Sequence, residues 1–144
     1  MLIDLYLPRF DVREVHEVDA DAPPEVTFAA IRQTDLRDPI TDALFALREL
    51  PNRITRKLRH QPPPPASKSF TFEDIAKLDM GWVPLDELPG VEFVVGSVGR
   101  FWARDYGWKP VAADAFVAFE EPGYAKVAVS FRVVPRGVDG SCLR

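Results

Sequence analysis

The residues able to do chemistry are few and scattered along the chain. Glu92 is a carboxylate in an otherwise apolar run, flanked by Val91, Phe93, Val94 and Val95. Asp105 and Tyr106 stand beside Trp102 and Trp108. A carboxylate among aromatic rings loses solvation of its charged form, so its pKa rises toward the range of a general acid or base. The plainer alternative puts Glu92 on the solvent side of a sheet and Asp105 in a surface loop, because charged side chains are mostly exposed. Cys142 is the single cysteine, and His16 and His60 are the two histidines. A thiol nucleophile needs a positioned base, and both histidines are distant in sequence, so Cys142 reads as a small, partly buried hydrophobe. No Cys/His spacing fits a metal. Gly96-Ser97-Val98-Gly99 lacks the lysine and the strand-to-helix setting of a phosphate loop. The residues therefore indicate no cofactor and no metal, and they single out no catalytic group.

The aromatic side chains are the more informative set. Ligand-binding candidates are Trp82, Phe93, Phe101, Trp102, Tyr106, Phe116 and Phe131, with Trp108, Phe119 and Tyr124 nearby in sequence. Such rings either line an apolar pocket, where Tyr and Trp polar atoms fix a ligand, or pack against each other as core. Segment 101–108 is the best candidate for a pocket rim, being aromatic and interrupted by Arg104, Asp105 and Gly107.

The elements that must position these residues follow from periodicity. Residues 12–18 are rich in Val and predict a strand, closed off by Pro23-Pro24. Asp21 is the expected N-cap of a short helix over 23–33, with Val26, Ala29 and Ala30 at helical spacing. Asp38 and Pro39 start a second helix carrying Ile40, Ala43, Leu44 and Leu47, which Pro51 stops. The basic stretch 52–60 reads as a solvated turn or as a small amphipathic helix for an anionic partner. Pro62 to Pro65 form a stiff spacer, and Thr71 and Phe70 open another short helix that ends before Gly81.

From Gly81 the period changes to two. Strands are expected over 81–86, 91–96 and, beginning at Phe101-Trp102, a third. Gly96 and Gly99 mark bends, bulges or close backbone approach. A helix over 112–120 carries Ala115, Phe116 and Phe119 on one face. Segment 124–134 is the clearest strand: Ala125, Val127, Val129, Phe131 and Val133 form one apolar face, while Lys126, Ser130 and Arg132 lie on the side nearer water. Pro135 ends it, and 138–141 supplies a hairpin signal. The return strand has four residues, which suggests that this chain is either a fragment of a domain that continues or a divergent short form.

The 144 residues fit one domain, 1–144, incomplete at its C-terminus on the fragment reading. The apolar fraction of 47% and a net charge of −4 suit a soluble globular domain and argue against a nucleic-acid partner. Asp4 and Pro8 interrupt the N-terminal apolar run, so no signal peptide is expected. No apolar stretch approaches the ~20 residues of a transmembrane segment. With one cysteine and no disulfide, the expected location is cytoplasmic.

The order of strand, two short helices and antiparallel strands resembles the helix-grip fold of the START-like superfamily, also called SRPBCC, which includes polyketide cyclases and lipid-transfer domains. The resemblance rests on 14–50, with its Ala22-Pro23-Pro24-Glu25-Val26 helix entry, and on the late strand 123–133. It implies an α+β fold: an antiparallel curved sheet with short helices, C-terminally short here, since family members wrap the sheet around a long C-terminal helix and this chain stops at Arg144. It also implies a cavity between sheet and helices that binds a hydrophobic small molecule or lipid. Two other functions remain open: a cyclase/dehydrase-type enzyme using a pocket carboxylate or tyrosine, with Glu92 or Tyr106 as candidates, and a protein–protein interaction module, including a homodimer, that uses an uncovered sheet surface.

Overall fold

The computed structural model describes residues 1–34, 71, 81–103, 106–137 and 139–144. The elements in chain order are α1 (Ile3–Tyr6), β1 (Val18–Ala20), α2 (Pro24–Gln33), β2 (Trp82–Leu88), β3 (Glu92–Gly99), α3 (Ala113–Phe116), β4 (Ala125–Arg136) and β5 (Gly140–Leu143). The strands form one open antiparallel sheet in the order β1-β5-β4-β3-β2, so the chain is α+β. The second helix, the basic stretch 52–60, the proline spacer and the helix expected after Phe70 lie outside the described residues.

Antiparallel strands alternate their side chains between two faces, and here both faces are covered. Odd-numbered Phe93, Val95 and Val133 pack against Phe28 and Ile31 of α2, with Trp82, Val129, Phe131 and Leu143 around them. Even-numbered Val94 and Val98 pack with Leu85 and Phe116, beneath Leu2, Ile3 and Tyr6 of the N-terminus. Lys126 also belongs to this packed side: its ammonium lies 5.7 Å from the Phe116 ring centroid and donates to the Val117 carbonyl at 3.0 Å. The even side of β4 is thus covered, where the sequence pattern had it nearer water.

Several local expectations change for identifiable reasons. The strand expected over 12–18 does not form as such: β1 is Val18–Ala20, sharing only Val18 with it, because pairing occurs only where β5 runs alongside. Helix α2 keeps its expected length but not its cap or its buried stripe. Pro23, not Asp21, occupies the N-cap and makes no side-chain cap bond. Thr27, Phe28 and Ile31 face the sheet and Val26 is 57% exposed, since turning the helix toward Phe28 and Ile31 buries larger apolar side chains. Phe101 and Trp102 lie in a turn, not a third strand, because Tyr106 O accepts from Arg100 N at 2.7 Å and closes the loop. The helix expected over 112–120 forms as the single turn α3, followed by a tighter turn in which Phe119 N donates to Phe116 O at 3.3 Å.

Prolines do not stop either strand in which they occur. Pro84 lies in edge strand β2, at the register shift between Pro84 and Asp86, where a missing N–H costs little. Pro135 pairs with Ser141 inside β4, which runs on to Arg136. Arg132 and Arg144 exchange both backbone bonds at 2.8 Å, so alternation directs the Pro135 nitrogen away from β5, past the last β3–β4 pair at Glu92 and Arg132.

Candidate functional site

The N-terminal segment crosses the even side of the sheet as α1 and continues as irregular chain to β1. Between this segment and β4 lies a cavity of ≈ 580 Å³, within the range of small-molecule sites, ~300–1,000 Å³. Its apolar wall comes from Ile3, Leu7, Phe10, Val12, Val15 and Val18 on the N-terminal side, and from Val127, Val129, Phe131 and Leu143 on the sheet side.

Its floor is the outer margin of β4. The β3–β4 ladder gives both main-chain bonds of the odd residues to β3; Val133 N, for example, donates to Val91 O at 2.8 Å. The even residues point the other way. Arg132 uses its groups on Arg144, but Lys126, Ala128 and Ser130 have no strand on that side among the described residues. The cavity therefore runs along a strip of main-chain donors and acceptors.

Two of the charged groups lining the cavity, Asp4 and Arg144, have ion-pair partners, and Glu14 lies near a histidine. The N-terminal ammonium lies 3.1 Å from Asp4 Oδ2, His16 Nε2 lies 3.7 Å from Glu14 Oε2, and Arg144 Nε lies 3.4 Å from Glu17 Oε1. The Arg13 guanidinium lies 5.8 Å from the Phe10 ring centroid.

The floor also holds Ser130, whose bond to Glu92 on β3 behind it gives the site chemical character. Glu92 is 3% exposed, which overturns the expectation of a solvent-facing carboxylate. It is buried because β3 is the middle strand of the β2–β3–β4 group, with all eight of its residues buried. The Ser130 hydroxyl donates to Glu92 Oε1 at 2.7 Å, and Ser130 itself lines the cavity. Arg132 stands opposite Glu92 in the ladder, with its Nε buried and making no hydrogen bond. On the same side, burial raises the pKa of the Tyr6 phenol above its ordinary value of 10.0, and the nearby Asp86 carboxylate adds to the rise.

The aromatic candidates fall into separate places. Trp82, Phe93 and Phe131 belong to the core under α2, where Phe93 stacks on Phe131 at 4.9 Å and meets Phe28 edge-on at 5.8 Å. Phe116 is fully buried in the core on the other side. Phe101 and Tyr106 pack on Trp108 at 5.5 and 5.1 Å, while Trp102 is 68% exposed. Of the seven, Phe131 alone lines the cavity. Asp105 lies outside the described residues. The close-approach reading holds for both strand glycines: a Cβ at Gly96 would lie 2.7 Å from Leu85 and Phe116, and one at Gly99 would lie 2.9 Å from Tyr106 O.

Sequence reasoning missed the N-terminal wall and Ser130. The isolated Glu92 was a usable signal for Ser130, since a buried carboxylate needs a donor across the ladder. Cys142 is half-buried on β5, and burial, with Asp19 and Glu17 nearby, raises its thiol pKa, which suits the inert role. Among the described residues no group of His, Cys, Asp and Glu is arranged to hold a metal ion, and no helix is long and apolar enough to cross a membrane.

Fold and site together define an α+β domain with an open five-stranded antiparallel sheet and an apolar cavity at one strand margin. Comparison with protein-family models, curated proteins and solved structures finds no match for the chain.

Proposed function

We propose that this chain binds a hydrophobic small molecule or lipid in the cavity between its N-terminal segment and β4, as a START-like domain of helix-grip type. The observation that carries the reading is the ≈ 580 Å³ cavity with a largely apolar lining. The passage from β1 into a proline-started α2, followed by an antiparallel sheet, supports the family assignment. Fold likeness alone is a weak warrant for function, so the cavity bears the weight. Native mass spectrometry of gently purified protein tests it. A monomer carrying extra mass that organic solvent releases is the expected result. Bare monomer, with no uptake of added octanol, refutes it.

A second reading rests on the outward main-chain groups of Lys126, Ala128 and Ser130. Such a margin accepts an added strand, and an extended peptide of another chain would then occupy the cavity. A stable dimer or complex that excludes octanol favours this interaction module over a carrier.

A further inference from the structure

The pairing of Ser130 with Glu92 specifies more than a greasy hole. A serine hydroxyl has one proton and two lone pairs. In this structure the proton goes to Glu92 Oε1, at 2.7 Å. Glu92 is 3% exposed, and a buried carboxylate deprived of a donor carries a desolvation penalty, so the Ser130 proton stays where it is. Ser130 lines the cavity, and its Oγ, having given its proton to Glu92, has only acceptor capacity left to offer.

Resting on the cavity reading above, we infer that the ligand is a neutral apolar molecule bearing a hydroxyl or N–H donor, and that Glu92 imposes this preference through Ser130. Ser130 meets the ligand's donor. Glu92 is a positioning residue, which fixes the direction of the serine proton without touching the ligand. Neutrality follows from the lining, which is mostly apolar and in which Asp4 and Arg144 already have partners of opposite charge. A ligand whose polar group only accepts meets lone pair against lone pair at Ser130.

The test compares octanol with methyl octyl ether, which keeps the oxygen and loses the proton, by titration calorimetry on the full chain. The alcohol should bind about fivefold tighter, the worth of one neutral hydrogen bond. In Ser130→Ala the ratio should fall to about one, and Ser130→Thr should restore it. Glu92→Met frees the serine proton to turn toward the cavity, so ether affinity should rise and the ratio fall; this variant carries the test if Ser130→Ala does not fold. A ratio of one in the unaltered protein, with both ligands bound, overturns the inference and leaves the cavity reading standing. A preference that survives Ser130→Ala also overturns it, assigning the acceptor to a main-chain carbonyl. Binding of neither ligand overturns the inference together with the cavity reading.

Discussion

Strands β3 and β4 are neighbours of similar composition, yet they live in different environments. All eight residues of β3 are buried, while the first eight of β4 are half-buried. The cause is pairing. Strand β3 has β4 alongside it from Glu92 to Gly99 and β2 on its other side from Glu92 to Ser97. Strand β4 has β5 only from Val133 to Arg136, plus the Arg132–Arg144 exchange. What lies beside the rest of β4 is the cavity. An apolar strand pattern thus describes a core element in one case and a ligand wall in the other, and the number of partners decides between them.

Hydrogen exchange should break this comparison most decisively if it is wrong. Amides of Phe93, Val94, Val95 and Ser97 should be protected up to global unfolding, at least ~5 kcal/mol for a domain of this kind. On β4, protection should alternate: Val127, Val129 and Phe131 slow, Lys126, Ala128 and Ser130 fast. Octanol should slow the fast set. Uniform protection along β4 would deny the open margin.

The next effect is in the core that clamps β3. Phe116→Ala should cost ~3–5 kcal/mol in denaturant unfolding, because it empties a fully buried ring site. Trp102→Ala, at a ring 68% exposed, should stay within ~0.5 kcal/mol. Equal losses would mean that the aromatic candidates are not divided as described. Gly96→Ala should cost ~1–3 kcal/mol, since its Cβ would press on Leu85 and Phe116 at 2.7 Å.

The smallest effect concerns pH. The folded pKa of Tyr6 is raised above 10.0, chiefly by burial and then by Asp86. A group raised in this way contributes stability that is complete below the unfolded value and is lost as pH climbs through the folded one. Thermal melts above pH 10 should therefore fall less steeply for Tyr6→Phe than for the unaltered chain. Parallel curves would remove Tyr6 from the packed side.

How much of this was legible depended on how local each cause is. The alternation from Ala125 onward and the turn at Pro89-Gly90 placed β2, β3 and β4 to within a few residues. The proline pair placed α2 to within one residue. The direction in which α2 faces was not legible, because Val26 and Phe28 compete for the sheet and the sheet decides. Pro135 misled for a related reason: it stops a strand only where its missing N–H was needed, and register alone says that it was not. The burial of Glu92 was hidden because it requires strands on both sides of β3, which no local pattern announces.

The sequence by itself determined an antiparallel α+β domain, a helix entered through prolines, and strand glycines that permit close approach. Each follows from backbone preferences or side-chain alternation acting over a few residues. The cavity, the direction of the Ser130 proton and the separation of the aromatic candidates into distinct clusters were decided by the tertiary structure alone. The cavity lining joins the first eighteen residues to the last eighteen, the Ser130 hydroxyl reaches Glu92 on the neighbouring strand, and hydroxyls as distant as Thr27 and Ser141, 114 positions apart, meet at 2.7 Å. No local pattern encodes a distance of that kind; it is fixed when strand register and helix packing bring the two ends of the chain to one side of one strand.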